Sequence, residues 1–127
     1  MIVRSFYPSL FWMGVIFFLS IIPGSDLPNF SFWRIFSMDK LIHAILFSIL
    51  SFQLMNACIR QYNHTFIRKN SVIIALAGAI IYGGFVELYQ DMYLIDRYGN
   101  WLDILANIVG AVAGVAIFRI IFFKYIR

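Results

Sequence analysis

The chain has 127 residues, 62% hydrophobic and 13% charged, with a formal net charge of +4, against about 45–50% and about 25% in soluble domains. That balance excludes a water-soluble domain. With no linker, low-complexity tract or charge run, the chain reads as one domain over residues 1–127.

A bilayer core of about 30 Å is crossed by about 20 apolar helical residues, and the sequence offers that length four times. The first predicted span, 5–23, contains LFWMGVIFFLSII and stops at the helix-breaking pair Pro23-Gly24. Arg4 ahead of an apolar stretch also fits a secretory signal, but the stretch exceeds a signal core, so a retained anchor is expected. The second span, 39–60, reads DKLIHAILFSILSFQLMNACIR, the third, 70–93, NSVIIALAGAIIYGGFVELYQDMY, and the fourth, 101–123, WLDILANIVGAVAGVAIFRIIFF. Runs this long and unbroken exclude the short alternating strands of a membrane barrel. The expected fold is an all-α bundle of four transmembrane helices. The single cysteine, Cys58, excludes an intrachain disulfide and reads as filler in the second span.

Charge sets the expected orientation. Arg4, Arg60, Arg68, Lys69, Arg119, Lys124 and Arg127 fall at the N-terminus, the middle loop and the C-terminal end, while the other two loops hold Arg34, Lys40 and Arg97. The positive-inside rule then puts both termini in the cytoplasm. All six acids (Asp26, Asp39, Glu87, Asp91, Asp96 and Asp103) lie toward the opposite side. The basic groups serve as anchors on an anionic inner leaflet, so the positive charge calls for no nucleic acid. Trp33 and Trp101 fit an outer interfacial belt, and His64, in the cytoplasmic loop, is expected to be solvated.

Helical periodicity gathers the remaining polar groups. Asp39 and His43 are four apart at the start of span two with Lys40 beside them, Glu87 and Gln90 are three apart near the outer end of span three, and Asp103 and Asn107 are four apart at the start of span four. Facing lipid would cost each ionised group about 2.5–3.5 kcal/mol at the bilayer centre. They are therefore expected to face one another around a pocket at the outer surface. Arg97 is the expected cation for Glu87 or Asp103, with Lys40 a second. Ala75, Ala79 and Gly83, and likewise Ala106, Gly110 and Gly114, recur every four residues and form small stripes that let helix backbones approach.

The segments DKLIHAILFSIL, ELYQ and RYGNWLDILANIVGAVAG, in that order over residues 38–118, resemble the VanZ-like family of small bacterial membrane proteins. Two departures stand in the loop: Asn100 where the family often has an acid, and Ile95-Asp96 where it often has a Gly or Pro turn. The resemblance implies the bacterial cytoplasmic membrane. It also implies a possible link to teicoplanin resistance, since the founding member is associated with low-level resistance to that glycopeptide, or a housekeeping envelope role.

Three readings stay open. The cluster binds an envelope lipid or lipid-linked cell-wall precursor through Asp39, Lys40, Gln90, Arg97, Asp103 and Asn107. Alternatively, a membrane enzyme acts on such a lipid, with His43 or Glu87 as general base and Arg97 stabilising developing negative charge. In the third, the cluster staples the helices of an accessory protein together. His43, Glu87 and Asp103 could gather a divalent metal, but their separations follow no ligand motif, so no metal and no cofactor are assigned. A transporter is disfavoured, as neither a broken-helix pair nor an internal repeat is visible.

Overall fold

Where water is absent, a chain must satisfy its own backbone donors and acceptors, and unbroken apolar runs do so as helices. The computed structural model describes residues 2–21, 37–93 and 101–122. They form α1 (Ile2–Ser20), α2 (Ser37–Ile59), the short α3 (Thr65–Lys69), α4 (Ser71–Tyr93) and α5 (Trp101–Ile121). The stretches Lys40–Ile59, Ser71–Tyr93 and Trp101–Ile121 are long and apolar enough to cross a membrane, measuring about 30–35 Å at 1.5 Å per residue. These three match the predicted spans within about two residues. The first helix begins three residues earlier than expected.

Helix α3 lies in what the sequence suggested was plain loop. Asn70 explains why it stays at one turn: its side-chain Nδ2 donates to the Phe66 carbonyl at 2.8 Å, and its own carbonyl accepts from Ile74 N at 2.9 Å. One residue thus closes α3 and opens α4. Upstream, Gln61 Nε2 donates to the Ala57 carbonyl at 2.9 Å, satisfying an orphan acceptor at the end of α2.

Contacts between helices fix their directions. Phe17 of α1 stacks on Phe85 of α4, with ring centroids 6.5 Å apart, and Gln90 meets Ser20, so α1 and α4 run the same way. Phe52 of α2 packs edge-on against Phe118 of α5 at 5.2 Å, while Lys40 meets Asp103, so α2 and α5 run together in the other direction. The closest approach is between α2 and α5. A Cβ added to Gly110 would fall 2.8 Å from Ala44 Cα, and one on Gly114 would strike Ser51 Oγ and the Ser48 carbonyl.

Ala106, expected in this stripe, is only half-buried. The buried face of α5 runs instead through Asp103, Asn107, Gly110 and Gly114. A strict four-residue step advances about 40° around the helix each time, whereas alternating steps of four and three hold one face toward a neighbour. On α4, Ala75, Ala79 and Gly83 are buried as expected.

Burial is inverted relative to a protein in water. Phe11, Ile81 and Ile120 are 74%, 71% and 77% exposed, with further large apolar side chains exposed on all four long helices. Inside are Ser9, Ser51, Glu87, Gln90, Asp103 and Asn107. Hydrocarbon is the solvent such an exterior suits. The apolar interior falls in two groups: Ile16, Phe47, Leu50, Ala79, Val86 and Ala111 at mid-height, then Met55, Ala75, Val115 and Phe118 toward the end where α2 and α5 finish.

Gly110→Ala should therefore lower stability by about 1–3 kcal/mol, the usual cost of overpacking. Gly84→Ala, where an added Cβ meets nothing within 4 Å, should be neutral or stabilising by up to about 1 kcal/mol. Reversible unfolding by SDS titration in mixed micelles checks both.

Candidate functional site

The glycine contact between α2 and α5 sets the register of everything one and two turns away. Asn107 lies three residues before Gly110, and its Oδ1 sits 3.1 Å from His43 Nδ1. Asp103 lies a further turn on, where its Oδ1 accepts a charge-assisted hydrogen bond from Lys40 Nζ. Helix α4 closes the group from a third side. Glu87 Oε1 is 3.8 Å from His43 Nδ1, and Gly83, one turn earlier, faces the Asn107 amide, where a Cβ would come within 3.0 Å of Nδ2.

Three helices thus bring an ammonium, an imidazole, two carboxylates and an amide to one end of the bundle. His43 is 8% exposed, Glu87 3%, Asp103 6% and Asn107 1%. At that depth a charge is tolerated only beside a counter-charge or hydrogen-bonding partners. Lys40 supplies one for Asp103. Asn107 Nδ2 has no acceptor among the described residues. One donor atom each from His43, Glu87 and Asp103 lies within 4.8 Å of the others, the trio the sequence offered as possible metal ligands although their separations follow no ligand motif.

Gln90 has a different task from the one expected of it. Its Nε2 donates to the Ser20 carbonyl at 3.1 Å, tying α4 to the last turn of α1. Spacing three from Glu87 put Gln90 on the right face, but the neighbour across that face is α1. Arg97 lies outside the described residues, as does the Asp39 side chain. The described basic groups other than Lys40 (Arg4, Arg60, Arg68, Lys69 and Arg119) gather at the opposite end and are exposed. A cavity of about 600 Å³ also lies at that basic end, lined by Ser5, Asn56, Ile59, Arg60, Tyr62, Phe118 and Phe122. It is remote from the cluster.

No family model, curated protein or solved structure matches the chain.

The arrangement can neutralise and hydrogen-bond an anionic head group, shuttle a proton between imidazole and carboxylate, or hold a cation. Its stability contribution is measurable first. In a double-mutant cycle of Lys40→Met and Asp103→Leu, the two changes should be non-additive by about 0.5–3 kcal/mol in favour of the intact pair. SDS-unfolding titrations of the four proteins give the coupling, and additive effects would mean that the pair carries no net stabilisation.

Proposed function

We propose that the chain is a VanZ-like protein of the bacterial cytoplasmic membrane, with four spans and both termini in the cytoplasm. Its polar end binds the anionic head group of an envelope lipid or lipid-linked cell-wall precursor at the outer leaflet. The observation that carries this reading is the buried group of His43, Glu87, Asp103 and Asn107, with Lys40 bonded to Asp103, at one end of the bundle. Ionisable groups inside a membrane bundle face a site or one another because lipid cannot solvate them. Lys40, whose side chain is 22% exposed, stands at the edge of the group, where an incoming phosphate would meet it.

Three further features support the reading. Exposed apolar residues surround the helices, the exposed arginines and lysines collect at the end opposite the cluster, and the resemblance over residues 38–118 points to an envelope role. The nineteen residues of α1 are about 28 Å long at helical rise, enough to serve as a fourth span with slight thinning of the bilayer. Arg97 serves as the second cation for the head group. The link to glycopeptide resistance follows if the bound molecule is the cell-wall precursor that the antibiotic targets.

The pairing of His43 with Glu87 at 3.8 Å favours a second reading, in which the same site performs acid–base chemistry on the lipid. Native mass spectrometry of protein extracted with its own membrane lipids tests both. Wild type should retain a specific anionic lipid, and Lys40→Gln and Arg97→Gln should lose it at matched folded yield. A retained molecule that is a cleavage product would favour the enzyme. If wild type retains nothing and the variants unfold more readily, the cluster is a staple and the binding proposal fails.

A further inference from the structure

The convergence of His43, Glu87 and Asp103 has a use beyond recognition of a head group. One imidazole nitrogen and two carboxylate oxygens, from α2, α4 and α5 respectively, lie within 4.8 Å of one another. At that limit the centre of the triangle is about 2.8 Å from each donor, so a shift of about 0.6–0.8 Å would reach the 2.0–2.2 Å lengths of Zn–N and Zn–O bonds. Mixed nitrogen and carboxylate donors suit divalent first-row metals such as Zn²⁺ and Mn²⁺. Two carboxylates this close repel in a low-dielectric interior, and a shared cation would offset that repulsion.

Groups around the triangle fit the same use. Asp103 keeps its second oxygen while Oδ1 accepts from Lys40, and a ligating carboxylate is ordinarily anchored by such a bond. With Nε2 as the ligating nitrogen, His43 Nδ1–H would donate to Asn107 Oδ1, 3.1 Å away, and orient the imidazole in the way that outer-shell carbonyls do. Three protein ligands leave coordination positions open. An oxygen bound there would be a candidate acceptor for Asn107 Nδ2, which is 1% exposed and has no acceptor among the described residues.

We propose that His43, Glu87 and Asp103 bind one divalent transition-metal ion of the Zn²⁺ or Mn²⁺ class within the bundle, leaving open positions for an oxygen ligand. The site draws one donor from each of three helices, so metal binding also clamps α2, α4 and α5 together at the polar end. This goes beyond the lipid reading and stands on the geometry of the three ligands alone.

The test uses the full chain, purified in detergent, stripped with chelator and desalted, then titrated with ZnCl₂ without added lipid. Bound metal is measured by inductively coupled plasma mass spectrometry. Wild type should retain one Zn²⁺ per chain. Glu87→Gln and Asp103→Asn, which keep the side-chain shape, should each weaken binding at least about tenfold, while His64→Ala, in the exposed loop, should leave it unchanged. No metal above the detergent blank, or equal binding by wild type and both isosteric variants, overturns the proposal.

Should those variants fail to fold, the visible spectrum of Co²⁺ added to the His64→Ala protein decides. A d–d band abolished by excess Zn²⁺ supports the site, and a spectrum identical to aqueous Co²⁺ overturns it. Lipid plays no part in these measurements. A protein that retains lipid in chelator but takes up no metal refutes this inference alone, and one that binds metal but retains no lipid refutes the lipid reading alone.

Discussion

The contact on which the rest of the molecule depends is the one between the backbones of α2 and α5. Gly110 lies against Ala44 and Gly114 against Ser48 and Ser51, at separations no side chain could share. Lipid offers little hydrophobic drive for helix association, so close van der Waals packing carries much of the stabilisation. The contact also fixes a register. Stepping back along both helices from Gly110 and Ala44 brings Asn107 to His43 and then Asp103 to Lys40. Helix α4 fits into the groove between them, with Gly83 facing both Asn107 and Phe47. A bulkier residue at Gly110 would therefore disturb the polar end as well as the packing.

That polar end reconciles two demands. Groups that hydrogen-bond across helices stabilise a membrane bundle only modestly, because the dissociated helices find other polar contacts. Losing one member of a buried charged pair is costly, since the other is left uncompensated. The cluster thus adds less to the stability of the intact fold than its removal would suggest. Placing it at one end, with the apolar groups of Phe47, Val86 and Ala111 below, limits the desolvation cost and leaves Lys40 partly exposed at its edge.

Much of the architecture was legible in the sequence because a bilayer imposes length and polarity so strictly. The three helices from Lys40–Ile59, Ser71–Tyr93 and Trp101–Ile121 follow from apolar run length alone. Pairing was legible only in part: Arg97 was the first cation expected for Glu87 or Asp103 and Lys40 a second, and it is Lys40 that meets Asp103. Other features depended on which helices become neighbours, and periodicity does not encode that. Gln90 shares a face with Glu87, yet bonds to α1. Ala106 fits a four-residue repeat but sits beside the tight face, whose true period alternates four and three. His43, Glu87 and Asp103 were expected around one pocket, but that their donor atoms approach within 4.8 Å follows only from the packing of three helices.

The way α1 is attached has an evolutionary consequence. Its bundle-facing anchors include main-chain carbonyls: those of Met13 and Ser20 accept from Tyr82 and Gln90 of α4. In the other direction, Trp12 Nε1 donates to the Leu46 carbonyl of α2 at 2.9 Å. A carbonyl is present whatever side chain its residue carries. Met13 can therefore vary without loss of its bond, whereas Trp12, Ile16 and Phe17 dock α1 through their own side chains. Drift along α1 should thus fall on its exposed face and on positions such as Met13 that bond through the main chain, and spare the side chains that enter the bundle.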